Sequence, residues 1–501
     1  MRISDKWQNF HYLAIIVIAL SSALIVQESY GSDSSKWEAR REAKILRVAL
    51  PSLPTSLDAI KLAFAEHFLV VECLCEALVR VDESGQITSG AAERWEYSEN
   101  GRDVHFHFAK NKKFSDGSPF TAADAAKALN HHFEPGSTSD ISGYLTKIVS
   151  DKHNPFEVED PQTIVIHLKH RYAPLLQLLA IGGFCVQKAT PDGIIGSGPF
   201  KVVSQSNELL RLKRNLYYEN KISLNEIDFI SVSSSALMAK EMKENDVDLA
   251  LGMQVSEAEF LTPENFTLTK TESLGTAHLY FNVERSPELT KDVRLHLTAA
   301  LQEAARKNRS MFLEPLLTLF PPEILPLRYY ERPVLKEVAW TNTTKKKMLS
   351  IRLRASAFDQ KLSDDIAAAV NKLGFKADVK RLKDVAYLNA MKTGDYDILG
   401  GRYLPNYPDP DAALEPFDKT SPFRLGRFNS SPLLKQLDIA RAIEDNRTRL
   451  EKYTDILLNF EEEHFIVPMF RLSLPISHRP SLRLPSTNFC HEVDLWKIFW
   501  K

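Results

Sequence analysis

The residues with the means to do chemistry are few and widely spaced. His105 and His107 alternate in VHFHFA (104–109), so a strand there puts both imidazoles on one face, where they could chelate a metal ion. Neither has a Cys, Asp or Glu at ligand spacing, so the pair reads first as solvated or packed histidines. His131 and His132 fall at a helix end, where the helix dipole accounts for them. Asp395 and Asp397 of GDYDI flank the start of a strand, a usual place for turn-forming aspartates. No G-x-S-x-G, H-E-x-x-H or G-x-x-x-x-G-K-[ST] occurs. GSGPF holds a G-x-G, but Pro199 follows and the third glycine is missing, which argues against a dinucleotide turn. The expectation is a protein that is not an enzyme and carries neither a metal site nor a cofactor.

One loop stands apart. RYLPNYPDPDAALEPF (402–417) has four prolines in sixteen residues, with two aspartates, two tyrosines and an asparagine. Proline fixes φ and removes an amide donor, so this segment is stiff and poor in backbone hydrogen bonds. Asp409 before Pro410 has the form of an N-cap followed by proline at the first helical position.

The elements that must hold this loop can be read from periodicity. Across 349–401, SIRLRAS, ADVKRL and YDILGG are strands separated by the helices DDIAAAVNKLGF and VAYLNAMKTG. Ile366, Val370 and Leu373 share one face of the first helix, and Gly374 closes it. This β-α-β-α-β order predicts a parallel sheet covered by helices. The loop then leaves the C-terminal end of a strand, the edge where open α/β sheets bind ligands. Elsewhere LRVAL, VHFHFA, QTIVIHLK and GTAHLYFNV read as strands and GSGPFKVVSQSNELLRLKRN as a hairpin. Thr121 with Asp124 three residues on forms a capping box, and Asp292 is the expected N-cap of the helix DVRLHLTAALQEAARKN. The stretch 433–463 reads as two helical pieces.

The length of 501 residues predicts two or three domains. Basic and acidic residues nearly balance, 63 against 65, which argues against a nucleic-acid partner. Arg2 and Lys6 precede the apolar run LAIIVIALSSALIV (13–26), and Ser29 and Gly31 follow it. Fourteen apolar residues fall short of the roughly 20 needed to span a bilayer, so a signal peptide cleaved after Gly31 is expected, with an uncleaved anchor as the alternative. No cysteine near that site indicates a lipid anchor. Export would permit disulfides among Cys73, Cys75, Cys185 and Cys490, with three pairings open. Cys73 and Cys75 lie in HFLVVECLCEAL, which reads as helical, and buried free thiols are at least as good a reading as a bridge.

The ordered set of segments resembles the family-5 extracellular solute-binding proteins of ABC transporters, the oligopeptide- and dipeptide-binding group. SLDAI (56–60) is similar to the family's S-L-D-P, with Ala59 for proline. The block 91–129 matches through Glu93, Trp95, Gly101, Phe114, Asp116, Gly117, Thr121, Ala122 and Asp124. GSGPFKV is similar to G-T-G-P-Y, NDVDLA matches through Asp248, and YFN with DVR fits the segment opening the later lobe.

That resemblance implies an α/β, bilobed periplasmic-binding-protein fold with an additional inserted domain. Its implied layout is a signal peptide at 1–31, lobe I at 44–60, 190–274 and 472–501, the additional domain at 61–189, and lobe II at 275–471. It implies a monomeric periplasmic receptor that binds a peptide or other small solute between closing lobes and delivers it to ABC permease subunits. A non-peptide cargo such as a metal chelate or sugar, or a secreted structural or sensory protein, are the alternatives. In peptide-binding members the loop reads roughly W-x-x-D-Y-x-D-P, which implies ligand-binding positions at Tyr403, Asn406, Tyr407 and Asp409. The family's first aspartate, which receives a peptide's ammonium, is Asn406 here. Capping is the stronger reading for Asp409, and Tyr403 can equally serve as wall packing.

Overall fold

A computed structural model describes residues 35–501 apart from 63–64, 83, 136, 138, 140–141, 151–154, 192, 272, 322–323, 332–334, 336–346, 406, 408, 415–424, 426, 429–430 and 487–492. The expected signal peptide, Asn406 and Cys490 lie outside the described residues.

The apolar run LRVAL becomes the buried strand Ile45–Leu50 inside a seven-stranded mixed sheet, parallel to Glu226–Ser231 and Leu249–Leu251. The expected hairpin forms one edge as Phe200–Gln205 and Leu209–Arg214. Thr267–Lys270 forms the other edge, beside Pro475–His478 from the far end of the chain. Asp248 fastens these distant stretches together. Its carboxylate is fully buried and accepts from Arg40 Nε at 2.9 Å, Arg479 Nε at 2.8 Å and the Arg47 amide at 3.1 Å. A charge taken so far from water must be paired and hydrogen-bonded, and two guanidiniums and an amide do both.

The β-α-β-α-β unit is present. Met348–Arg354 runs parallel to both Lys376–Leu382 and Ile398–Tyr403. It belongs to a six-stranded sheet that is mixed rather than parallel, because Ile398–Tyr403 pairs antiparallel with Thr276–Phe281. The helix Gln360–Lys372 starts at the N-cap Asp359, buries Ile366 and Val370, and ends before Gly374, whose φ of 79° suits glycine. The helix Lys291–Lys307 corrects one expectation. Thr290 caps it, accepting from the Val293 amide at 3.4 Å, and Asp292 lies in the first turn. A residue already inside the helix cannot cap, but its charge still favours the positive end of the dipole.

A third, antiparallel sheet orders Arg94–Tyr97, Asp103–His107, Thr163–His167 and Phe156–Asp160. Its inner face packs Phe106 with Phe114, Phe120 and the helix Ala122–Asn130. The Thr121–Asp124 capping box is formed in both directions. Among the described residues, no helix is long and apolar enough to cross a membrane.

The cysteine region departs from its helical reading. The helix Ala65–Glu72 stops before Cys73, and the chain extends so that Glu76 bridges Val186 in antiparallel register. That pairing brings Cys75 within a Cα separation of 5.5 Å of Cys185, and the two form a disulfide across 110 residues. The free-thiol reading is corrected for this pair, while Cys73 is a buried free thiol. Closing so long a loop restricts the unfolded chain and stabilises by about 2–4 kcal/mol. Reduction should therefore lower the unfolding free energy of the wild-type protein by that margin, seen as a lower urea midpoint. Equal midpoints for oxidised and reduced protein would contradict the bridge.

Candidate ligand-binding site

The proline loop is held by side chains where its backbone lacks donors. The strand Ile398–Tyr403 delivers Tyr403 opposite Thr276, and the Tyr403 hydroxyl donates to the Ala412 carbonyl at 2.5 Å, closing the loop on itself. Before it, Gly401 lets the helix Asp384–Thr393 lie close, since a Cβ there would meet the Tyr387 hydroxyl at 2.1 Å. After it comes the short helix Pro410–Leu414. Asp409 Oδ1 accepts from the Asp411 amide at 2.9 Å, so the N-cap geometry read from D-P is realised.

Beneath the loop lies a buried ionic cluster. Arg449, on the helix Asn446–Glu461, grips Asp409 with Nη1 at 3.1 Å and Nη2 at 2.5 Å, and both side chains are 2% exposed. Arg441, on the helix Ser431–Arg441, donates Nε to Asp411 at 2.6 Å. Asp411 also accepts from the Tyr453 hydroxyl at 3.1 Å and from the Tyr172 hydroxyl. Burial pushes the phenols of Tyr172, Tyr407 and Tyr453 well up, so all three remain protonated donors. Burial also raises the Asp409 carboxyl, against the opposing pull of Arg449.

The four residues expected at the ligand thus have different settings. Tyr403 is partly exposed at the strand end. Asn406 lies outside the described residues. Tyr407 is 2% exposed; its hydroxyl sits 3.2 Å from that of Tyr172, and its ring joins the core of the antiparallel-sheet domain. Asp409 is bound to Arg449 and the Asp411 amide, the structural setting that its place before Pro410 predicts. Two crevices border this loop. One of about 470 Å³ is lined by Glu72, Arg80, Gln177, Tyr407, Asp494 and Trp496. The other, about 600 Å³, is lined by Lys147, His170, Tyr172, Tyr407, Asp411 and Arg441 among others.

The other candidates are structural. His105 contacts Glu159 at 2.9 Å and His107 contacts Glu96 at 3.3 Å, carboxylates supplied by other strands of the same sheet. Asp397 is buried and accepts from the Ser350 amide at 2.6 Å, while exposed Asp395 pairs with Arg285 at 2.7 Å. His132 packs on Phe184 and bonds Ser139 at 2.7 Å, with its pKa pushed down to about 4, chiefly by burial. Among the described residues no cluster of His, Cys, Asp or Glu is arranged to hold a metal ion.

The sequence model of the bacterial extracellular solute-binding proteins, family 5, matches residues 86–424. The chain belongs to this family. The periplasmic murein peptide-binding protein MppA of Escherichia coli is 23% identical over 461 residues, covering 83% of this chain and 86% of that protein. The structure of Haemophilus influenzae OppA in complex with RPPGFSPFR superposes with a TM-score of 0.74 at 18% identity, covering 92% of this chain and 99% of that one. NikA from Brucella suis in complex with Fe(III)-EDTA gives 0.78 at 19% identity, covering 91% and 100%. These likenesses identify the fold as the bilobed periplasmic-binding-protein architecture with an additional domain. The seven-stranded and six-stranded sheets are the cores of the two lobes, and the four-stranded sheet is the core of the additional domain. Family members are solute-binding proteins rather than enzymes.

Arg449→Ala should test the cluster beneath the loop. A carboxyl raised in the folded state stabilises below its unfolded pKa of about 3.9, and that contribution is lost as pH climbs through the folded value. Without Arg449, the Asp409 carboxylate is buried and unpaired, at a cost of about 3–5 kcal/mol at neutral pH. The deficit should shrink as the pH is lowered toward the carboxyl range, because a proton then replaces the guanidinium. Urea midpoints of both proteins across that range measure it; a deficit independent of pH would show that Asp409 is not the group left stranded.

Proposed function

We propose that the protein is a periplasmic receptor of an ABC importer, binding peptides or peptide-like solutes between two closing lobes and handing them to the membrane permease. The observation that carries this reading is the rigid loop at the C-terminal end of Ile398–Tyr403, in a chain whose family consists of solute-binding proteins. A relative named for murein peptide binding and a fold neighbour bound to a nonapeptide support peptide as the cargo class. In this reading lobe I comprises 44–60, 190–274 and 472–501, the additional domain 61–189, and lobe II 275–471. Residues 1–31 direct export and are removed, and the mature receptor acts as a monomer.

Tyr403 and Asn406 are the proposed ligand contacts of the loop, Tyr407 anchors it, and Asp409 holds its shape. Asn406 favours one second reading. A buried ammonium calls for a paired charge, and an amide gives only part of that compensation. A solute without a free amino terminus is therefore the alternative cargo, in keeping with a fold neighbour that holds a metal chelate.

Ligand that binds only the native state raises its melting temperature. A pool of di- to hexapeptides should raise that of the purified mature protein. No shift with any peptide, together with a shift from another solute class, would transfer the assignment to that class. If a peptide ammonium docks at position 406, Asn406→Asp should tighten binding about tenfold at low salt, since a charge-assisted hydrogen bond replaces a neutral one. Unchanged affinity would remove Asn406 from the site.

A further inference from the structure

The molecule divides mechanically in a way its sheets alone do not reveal. Chain enters and leaves the additional domain through a neck stapled by Cys75–Cys185. The neck is further closed by hydrogen bonds from the Val186 amide to Glu76 O at 2.9 Å, the Gly198 amide to Leu74 O at 2.9 Å and the Phe200 amide to Cys73 O at 2.8 Å. The disulfide holds the two neck strands together, and the Gly198 and Phe200 amides fix that neck to the seven-stranded lobe. The six-stranded lobe is reached differently, by the paired crossings 271–275 and 473–474, where the Thr271 amide bonds Leu474 O at 3.0 Å. Hinges are short element-terminal segments of this kind. The additional domain and the six-stranded lobe therefore lie on opposite sides of the hinge.

Among the described residues, those two bodies meet where Tyr407 and Ala412 of the loop pack into the additional domain's core, and at the adjoining segment 171–173. The segment 171–173 of the additional domain reaches the six-stranded lobe through the Ala173 amide to Arg441 O at 3.1 Å and the ion pair Arg171–Glu444 at 2.7 Å. Between them Tyr172, 4% exposed, donates its hydroxyl to Asp411 beside Tyr407. The crevice of about 600 Å³ lies next to this contact and is lined from both bodies. Exposed ion pairs such as Arg171–Glu444 contribute little. A buried hydroxyl donated to a carboxylate contributes several times more.

We infer that Tyr172 is a positioning residue: it latches the additional domain to the proline loop across the hinge, coupling that loop's placement to lobe closure. The inference rests on the reading of that loop as ligand-facing, but its test needs no ligand. A contact that spans a hinge is made in only part of the closure motion, so it biases the balance of open and closed forms by the differential energy of the bond. Tyr453 supplies the control, because it donates a hydroxyl to the same Asp411 carboxylate from within the six-stranded lobe.

Tyr172→Phe and Tyr453→Phe each remove one hydroxyl and keep the ring. In the ligand-free, full mature chain, both should raise amide exchange of Asp411 and Ala412 by about tenfold, as each loses a charged hydrogen bond. Only Tyr172→Phe should shift the radius of gyration seen by small-angle X-ray scattering, because only it spans the hinge. A scattering profile unchanged in Tyr172→Phe, or shifted equally by both variants, overturns the latch whatever solute the receptor carries. Unaltered peptide-induced melting shifts in both variants would leave the cargo assignment standing, so the two ideas fail separately.

Discussion

The buried pair between Asp409 and Arg449 is the interaction on which the candidate site depends. Pro405, Pro408, Pro410 and Pro416 deprive the loop of four amide donors, so backbone bonds beyond the short helix Pro410–Leu414 hold it poorly. Side-chain charge takes over that task. A guanidinium presents its donors in a planar fork that a carboxylate accepts at two points, which fixes direction as well as distance. Replacing such a pair with apolar groups need not weaken a fold, so its value here is better sought in geometry than in net stability. Asp411 extends the same solution outward, through Arg441 and Tyr453 to Tyr172.

The rest of the molecule repeats the device where chain continuity is broken. Residues near 47, 248 and 479 must converge in one sheet although some 200 residues separate each from the next, and Asp248 is the point at which they meet. Apolar packing alone is indifferent to register, whereas a carboxylate bound by Arg40, Arg479 and the Arg47 amide tolerates only one arrangement. The neck uses a covalent version of the same logic at Cys75–Cys185. In the hinge reading, rigid joints at these places leave motion to the crossings 271–275 and 473–474, which are bonded to each other through the Thr271 amide and Leu474 O.

Local pattern determined what could be read from the sequence. The βαβαβ unit was legible because the apolar period changes cleanly from two to 3.6 along it, and the Thr121–Asp124 capping box because its partners are three residues apart. Legibility failed wherever a partner came from elsewhere. Cys75 looked helical because HFLVVECLCEAL has helical propensity; the demand of Val186 for an antiparallel partner at Glu76 overrides it. The carboxylates beside His105 and His107 sit on other strands of the same sheet, Glu159 two strands away and Glu96 on the next one, at separations no linear spacing reveals. Around the loop, the N-capping role of Asp409 was visible in D-P, but Arg449 lies 40 residues on, and Arg441 and Tyr172 carry no signal of their own.

This separation of holding from contacting bears on how one loop can serve different cargoes. Asp409, Asp411, Arg449 and Tyr407 are buried and, with half-buried Arg441, fix the backbone, while Tyr403 is partly exposed at the strand end. A loop already rigid when empty loses little conformational entropy when a ligand arrives, so binding energy is not consumed in ordering it. In the proposed reading, exchanging a side chain that contacts the solute but takes no part in this cluster changes which solute is recognised while the frame is kept. In that reading, Asn406 is such an exchange. The carboxylate that its relatives' pattern places there is missing, yet the ionic cluster beneath is intact, and a frame kept in full beside an altered contact is what a change of cargo, rather than a loss of function, would leave behind.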